Sequence, residues 1–379
     1  MTSSSNRLSP LQIGFMVVLF EVGSTPMFLL GGKARQDAWL ALLIGSAAGF
    51  LLLLALLALQ RLYPGRHLMQ MLESGFGRLA GRIAGFVYCF YFAYEAMRNV
   101  RDLGELTKLT LLPNSPMAIT MFIFVLTAAY AIAKGTEIVF RLPELLLPLV
   151  IISYALLILL LVATRCTDFA RLAPVMENGL KPVLQAALPD TISFPFGQML
   201  VFLMLWHLRG KPGSSAPETI TGYIAVSLFL VFMNALNLAV LGPALATSRE
   251  LPFLNSVRTL TALGFIERLD IMVTFLIFIG ITMKMMLFYL CAVRGLAYLS
   301  GIRGSAWIFF FGFLIYASSF IERNYTQHIA IGLGPSLKID MLFQLAIPLL
   351  LLFISLIRRS AKKKKKKNGL QRKKAPSTA

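Results

Sequence analysis

Two short stretches of this sequence carry the residue types that invite chemistry. The first reads Phe20-Glu21-Val22-Gly23-Ser24-Thr25-Pro26-Met27, and the second Thr191-Ile192-Ser193-Phe194-Pro195-Phe196-Gly197-Gln198. Both interrupt apolar runs of helical length. A proline inside a helix removes a hydrogen bond and clashes with the preceding turn, and glycine adds conformational freedom. In hydrocarbon the freed backbone groups must find partners, so such breaks persist where they line a polar cavity. Broken ends offer binding without side-chain catalysis. The second half-helices, starting near Thr25–Pro26 and Phe196–Gly197, present N–H groups and the positive dipole end, which suit a carboxylate. The first half-helices, ending near Val22–Gly23 and Ser193–Phe194, present carbonyls, which suit an ammonium or a cation. Together they describe a site for a zwitterion such as a free amino acid. Phe194 and Phe196 either wall or gate that site or pack as ordinary core.

Charges inside apolar runs are the second signal. Glu21 precedes the first break, and Glu95 and Lys284 lie in two further runs. A charge at mid-membrane costs about 2.5–3.5 kcal/mol on insertion scales, so it is expected to face a cavity or a partner. Glu21 and Glu95 are the candidate partners of Lys284. Thr282 and Lys284 are two residues apart, about 200° around a helix, and cannot both face one small pocket. The threonine hydroxyl suits contact with a ligand, and the lysine stem suits a longer reach to a carboxylate. The run Glu95, Arg98, Arg101, Asp102, Glu105 has acids and bases three or four apart, the spacing of intrahelical pairs. His67, His207 and His328 are scattered, and Cys89, Cys166 and Cys291 form no CxxC. With no nucleophile elbow, phosphate loop or metal spacing, no enzyme, cofactor or metal site is expected.

Composition sets the elements that must hold these residues. The chain has 379 residues, of which 57% are hydrophobic and 14% charged, against about 25% charged in ordinary soluble chains. Windows such as 38–60, 109–133, 145–164 and 219–248 are long enough for a bilayer that needs about 20 apolar residues. The expected fold is an all-α polytopic membrane protein. A transmembrane barrel is excluded because its strands alternate polar and apolar. Ten spans are expected near 10–31, 38–60, 83–108, 116–134, 142–164, 190–208, 218–242, 269–293, 304–321 and 338–357. Ten spans place both termini on one side. Spans 1 and 6 would then head two halves, about 10–164 and 190–357, and paired breaks at matching positions indicate an inverted-repeat transporter fold with a midplane site. The whole of 1–357 reads as one domain. The connections 165–190 and 243–268 are expected to hold short interfacial helices.

The net charge of +19 is concentrated at one end. Eleven of the 36 basic residues follow Ile357, including Lys362 to Lys367, and removing them leaves +8. A polylysine segment after a hydrophobic run contacts anionic lipid at about 1 kcal/mol per basic residue, a better reading than nucleic-acid binding. Residues 358–379 are expected to be a disordered cytoplasmic tail, which sets both termini in the cytoplasm.

The opening Leu8-Ser9-Pro10-Leu11-Gln12, Gln36-Asp37-Ala38-Trp39, the pattern Tyr94-Glu95 with Arg98 and Glu105, Leu112-Pro113-Asn114-Ser115-Pro116, and Ser193-Phe194-Pro195-Phe196-Gly197 resemble the spore germination permease family. That is the GerAB-type B subunit of endospore nutrient-germinant receptors, within the amino acid–polyamine–organocation superfamily. The resemblance covers about residues 8–357. It implies a LeuT-like 5+5 fold with helices 1 and 6 broken, residence in the inner spore membrane, and assembly with an A-type membrane subunit and a C-type lipoprotein. It also implies germinant binding at Gly23, Ser24, Thr25, Pro26, Phe194, Pro195, Phe196 and Gly197, with helices 3 and 8 (Thr282) completing the pocket. Unlike the lysine carried by proton-coupled members of the superfamily, span 5 has none between Glu144 and Arg165. Three functions follow as alternatives: a nutrient sensor signalling to partner subunits, a self-sufficient amino-acid permease, or a scaffold.

Overall fold

The computed structural model describes residues 7–209, 216–249, 251–262 and 269–374, and of 261–262 and 361–374 the backbone only. Among the described residues there are helices and no strands. In chain order the α-helices are α1 Pro10–Val22, α2 Ala38–Leu62, α3 Leu68–Phe76, α4 Arg78–Thr110, α5 Met117–Lys134, α6 Thr136–Ala163, α7 Leu180–Ala187, α8 Asp190–Ser193, α9 Ala216–Leu241, α10 Pro243–Ser248, α11 Pro252–Ala262, α12 Leu269–Ser300, α13 Gly304–Ser318, α14 Tyr325–Ile331, α15 Leu337–Met341 and α16 Ile347–Lys374. The first helix starts where local chemistry says it should. The Ser9 hydroxyl accepts from the Gln12 N–H at 3.1 Å, the Gln12 side chain accepts from the Ser9 N–H at 2.9 Å, and Pro10 fills the first turn.

Eight helical stretches are long and apolar enough to cross a membrane: Pro10–Met27, Gly32–Leu62, Met117–Lys134, Thr136–Ala163, Leu180–Met204, Ala216–Leu241, Leu269–Ser300 and Tyr325–Ser360. The remaining two expected spans coincide with α4 and α13. At 33 residues α4 has the length but carries five charged residues between Glu95 and Glu105, and α13 is apolar but has 15 residues. Both long connections hold short helices, α7 in one and α10 and α11 in the other.

Two boundaries differ from the sequence reading. The last span, expected from 338, begins at Tyr325 and passes two π-helical stretches, Gly332–Ser336 and Leu342–Ala346. Lys338 and Asp340 look like a span edge in sequence, yet Asp340 is buried. At the other end, α16 continues as helix through Lys374 where an unstructured tail is expected from 358. Lysine is a good helix former, and no glycine interrupts the run before Gly369. Residues 375–379 lie outside the described part.

At the centre α12 runs along α4, and α1 lies against α6, α9 and α12. An aromatic cluster locks this arrangement. Phe20 of α1 meets Phe202 at 5.5 Å and Phe288 of α12 at 5.2 Å, and Phe288 reaches Phe92 of α4 at 6.2 Å between ring centroids. The two edge contacts of Phe20 are worth about 0.5–1.5 kcal/mol each beyond burial. Close backbone approach does the rest. A Cβ on Gly81 would collide with backbone atoms of Leu72 and Glu73, so α3 and α4 touch there without side chains between them.

Because those neighbours are backbone and cannot swing aside, Gly81→Ala should lower the unfolding midpoint of the purified protein, at a cost of about 1–3 kcal/mol for overpacking. Gly304→Ala, whose new methyl would meet only Val293 at 3.8 Å, should leave it unchanged. Thermal unfolding in detergent compares the two, and equal midpoints would contradict the close α3–α4 contact.

Candidate functional site

The first break is built around Gly23. α1 ends there with the Gly23 backbone at φ 29°, ψ −124°, a conformation side-chain-bearing residues rarely adopt, and a short 3₁₀ turn, Thr25–Met27, follows. The Thr25 hydroxyl donates to the Glu21 carbonyl at 2.7 Å, capping the end of α1. Helix α12 presses on this point. A Cβ on Gly280 would fall 2.7 Å from the Gly23 oxygen, and a Cβ on Gly23 would fall 2.7 Å from Lys284 Cδ. Gly280 and Lys284 are four residues apart and share the helix face turned to the break.

That phase corrects the expectation for Thr282. Lying two residues from each, it sits about 200° round from the face carrying Gly280 and Lys284 and is partly exposed. The lysine faces the break, and the threonine does not. The pairing of Lys284 with Glu21 or Glu95 is also not formed as an ion pair among the described residues. Lys284 is fully buried, its Nζ has no hydrogen-bond partner, and it sits 4.6 Å from the Phe194 ring centroid and 5.4 Å from that of Phe20. Both Glu21 carboxylate oxygens are likewise buried without a hydrogen-bond partner.

The second break separates α8 from a 3₁₀ stretch, Phe196–Met204. Its residues face different neighbours. The Ser193 hydroxyl donates to the Leu337 carbonyl at 3.3 Å, and a Cβ on Gly197 would collide with the Gln344 side chain, so this break leans on the last span. Phe196 packs on Tyr223 at 5.5 Å and reads as core. Phe194 meets Phe28 at 6.0 Å across the two breaks. Ser24, Glu95 and Phe194 come together at a small cavity of about 40 Å³, whereas Gly23, Thr25, Pro26, Pro195, Phe196 and Gly197 are buried and do not line it. A water needs roughly 10–15 Å³ on this measure, so in this arrangement the cavity holds a few small groups, and a larger ligand would require the breaks to part.

Above it, at the end away from the termini, opens a vestibule of about 610 Å³ that includes Lys33, Asp190 and Arg249. Phe28, Phe194, Ile329, Leu333 and Leu337 line both spaces. One apolar layer therefore separates the vestibule from the polar cavity.

Several lining residues escape sequence reasoning. Gln198 Nε2 donates to Glu95 Oε2 at 2.7 Å, Asn99 Nδ2 donates to the Glu95 carbonyl at 2.8 Å, and Asp340 closes the cavity from α15. Tyr88, Tyr91 and Tyr94, three apart on α4, all bond the last span. Tyr88 donates to the Phe343 carbonyl at 2.6 Å, Tyr91 accepts from Gln344 at 2.7 Å, and Tyr94 bonds Ser336. That three-residue tyrosine spacing is the sequence signal that α4 has a polar partner.

Beside the cavity a buried charge network joins α4 to the 319–328 segment. Arg98 donates to Glu322 at 3.3 Å and to the His328 carbonyl at 3.0 Å. Arg101 pairs with Glu105 at 2.6 Å and donates to the Ser319 and Glu322 carbonyls at 3.0 and 3.1 Å, and His328 bonds Asp102 at 3.1 Å and also Glu322. Burial alone would raise the Glu322 carboxyl, but the His328 hydrogen bond and the charges of His328, Arg98 and Arg101 hold it below its ordinary range. The Arg101–Glu105 pair is the expected intrahelical one, and the remaining contacts reach across helices.

Residues 7–328 match the profile of the spore permease family, described as spore germination protein. The chain belongs to that family. It is 29% identical over 359 residues to spore germination protein KB of Bacillus subtilis strain 168, spanning 93% of this chain and 95% of the relative. Spore germination protein B2 of the same strain is 24% identical over 275 residues, spanning 72% and 74%. In fold, the chain resembles a nucleobase-cation-symport-1 family transporter in a closed conformation with bromovinylhydantoin bound. The TM-score is 0.62 at 12% identity, over 89% of this chain and 78% of that one. The likeness is one of fold, the LeuT-like arrangement with helices 1 and 6 broken. This member of the spore germination family is thus a multi-pass membrane protein of the permease type.

In this family member the buried network should matter far more than a surface pair. Removing one partner of a buried charge pair costs about 3–5 kcal/mol, whereas the exposed Arg141–Glu137 pair at 2.5 Å is worth about 0.3–0.5 kcal/mol. Arg98→Ala should therefore lower the unfolding midpoint markedly and Arg141→Ala barely. Similar small shifts for both would show that the network is not structural.

Proposed function

We propose that the chain is the B-type subunit of a nutrient germinant receptor, binding an amino acid or similar small zwitterion between the breaks at Gly23–Pro26 and Phe194–Gly197. The observation that carries this reading is the pair of buried ionisable groups at the first break that lack a hydrogen-bond partner. Lys284 Nζ and both Glu21 oxygens are buried with no hydrogen-bond partner. Buried polar groups without a hydrogen-bond partner are costly, and the two ends of a zwitterion would supply one to each. Nutrient would enter through the vestibule and pass the Phe28–Phe194 layer, and closure over it would change the contacts of helices 1 and 6.

The family supports the receptor setting. In it the subunit sits in the inner spore membrane with both termini cytoplasmic, its ten spans forming two inverted repeats. It assembles with an A-type membrane subunit and a C-type lipoprotein, and the basic end of α16 contacts anionic lipid. Binding then signals to partner subunits. A second reading, a self-sufficient permease, draws on the fold shared with a symport-family transporter; uptake of labelled amino acid by the chain alone in proteoliposomes would favour it over the sensor.

A panel of amino acids screened for thermal stabilisation of the purified protein tests the site. At least one should raise the midpoint, and Lys284→Gln should weaken that nutrient's apparent affinity roughly tenfold or more, as expected for loss of a charge-assisted contact. Wild-type affinity in the variant would remove Lys284 from the site.

A further inference from the structure

His328 is clamped between two carboxylates. Its Nδ1 bonds Glu322 Oε2, and its Nε2 bonds Asp102 Oδ1 at 3.1 Å. An ionised carboxylate only accepts, so two such bonds require a proton on both ring nitrogens, which is the imidazolium. The Arg98 guanidinium also lies 3.4 Å from Nε2. It could donate there only to a bare nitrogen, whose lone pair would then face the closer Asp102 oxygen. Arg98 has better acceptors in the His328 carbonyl at 3.0 Å and Glu322 at 3.3 Å. A carboxylic acid loses its proton at lower pH than an imidazolium does, so the shared proton rests on the ring.

Charge balance asks for the same proton. The groups facing His328 are Asp102 and Arg98 of α4 and Glu322 of the segment before α14, with the Tyr325 ring stacked at 6.0 Å. Arg101 and Glu105 complete the network, and Glu95 and Asp340 share the lining of the small cavity with Arg98 and Asp102. Within the network two arginines meet three carboxylates, so it is neutral only when His328 is positive. His328 is 1% exposed and Asp102 6%, and an unbalanced charge is costly at that depth.

The clamp sits where the apolar layer is anchored. α14 carries His328 and then Ile329, and the same span continues to Leu333 and Leu337. These are three of the five side chains that separate the vestibule from the cavity. Arg98 fills the place that a side chain on Gly332 would take and donates to the His328 carbonyl, so α4 grips this stretch at two points. Without its second proton the ring would turn a bare nitrogen to a carboxylate, and the grip would lose a bond together with its charge balance.

We propose that His328 is a proton-operated clasp. Doubly protonated, it holds the vestibule side of the last span against α4, and loss of one proton frees Ile329, Leu333 and Leu337 to move. Acid then keeps the vestibule layer shut, and alkaline conditions loosen it. Unfolded, histidine gives up its second proton near pH 6.5. The folded clasp keeps it, so the stability drawn from the clasp is complete below that pH and is lost as pH rises and the proton leaves. The clasp needs no nutrient, so it stands whether or not the breaks bind a zwitterion.

The experiment is nitrogen-15 NMR of the full chain, purified without nutrient and labelled at its three histidines, His67, His207 and His328. At about pH 7.5, a unit above the ordinary histidine value, His328 should carry protons on both ring nitrogens. The signal missing in His328→Gln identifies it. If that variant fails to fold, the signal kept in both His67→Gln and His207→Gln does so. A neutral His328 ring at that pH would overturn the proposal. Hydrogen-exchange protection of residues 325–337, corrected for the intrinsic pH dependence of exchange, should then fall as the proton leaves. The linkage of one proton sets the slope, up to about tenfold per pH unit, and Asp102→Asn should flatten it. Protection in 325–337 that ignores loss of the proton would overturn the clasp, as would an undiminished slope in Asp102→Asn.

Discussion

A backbone that stops being helical inside a membrane must be held by something other than itself. At Gly23 the hold comes from the Thr25 hydroxyl on the Glu21 carbonyl and from α12, where Gly280 removes its side chain and Lys284 lays its stem along the break. At the second break it comes from the last span, through Ser193 to Leu337 and Gly197 against Gln344. Each break is thus tied to a different partner helix. A ligand bridging both breaks, as proposed, would alter what α12 and the last span each contact, coupling its binding to two interfaces.

The two sides of the polar centre are unequal in strength. Toward the vestibule stands one layer of apolar side chains, Phe28, Phe194, Ile329, Leu333 and Leu337. Beside it stands the network of Arg98, Arg101, Asp102, Glu322 and His328, in which buried charges answer one another across helices. Rotating an aromatic ring costs little, whereas separating such a network leaves charges unpaired in low dielectric. Motion that admits a ligand is therefore expected in the apolar layer first, with α4 and the 319–328 segment moving as one body.

The breaks were legible in the sequence because proline and glycine inside an apolar run interrupt a helix through backbone sterics alone, whatever packs around them. Glu95 and Lys284 stood out as charges where lipid allows few. Helix phase was not legible. Thr282 and Lys284 point to opposite sides, and only the contact of Gly280 with Gly23 decides which side faces the break. The last span hid its contribution for a different reason. Lys338 and Asp340 mimic a water-facing edge, and the two π-helical stretches disturb the 3.6-residue period that would have marked a buried face. Gln198 and Asn99 are uncharged and make no pattern, so their role emerges only from what they bond. The whole-chain resemblance to the spore germination family came from scattered short motifs, and the family match over residues 7–328 bears it out.

The most direct measurement of the central claim is hydrogen–deuterium exchange on the purified protein with and without a stabilising amino acid. Residues 22–28 and 192–198 are far apart in sequence and meet through Phe28 and Phe194 beside the proposed nutrient site. Saturating ligand should slow exchange in both segments together, with smaller changes elsewhere. Binding that stabilises the protein while both segments exchange as before would place the nutrient somewhere else.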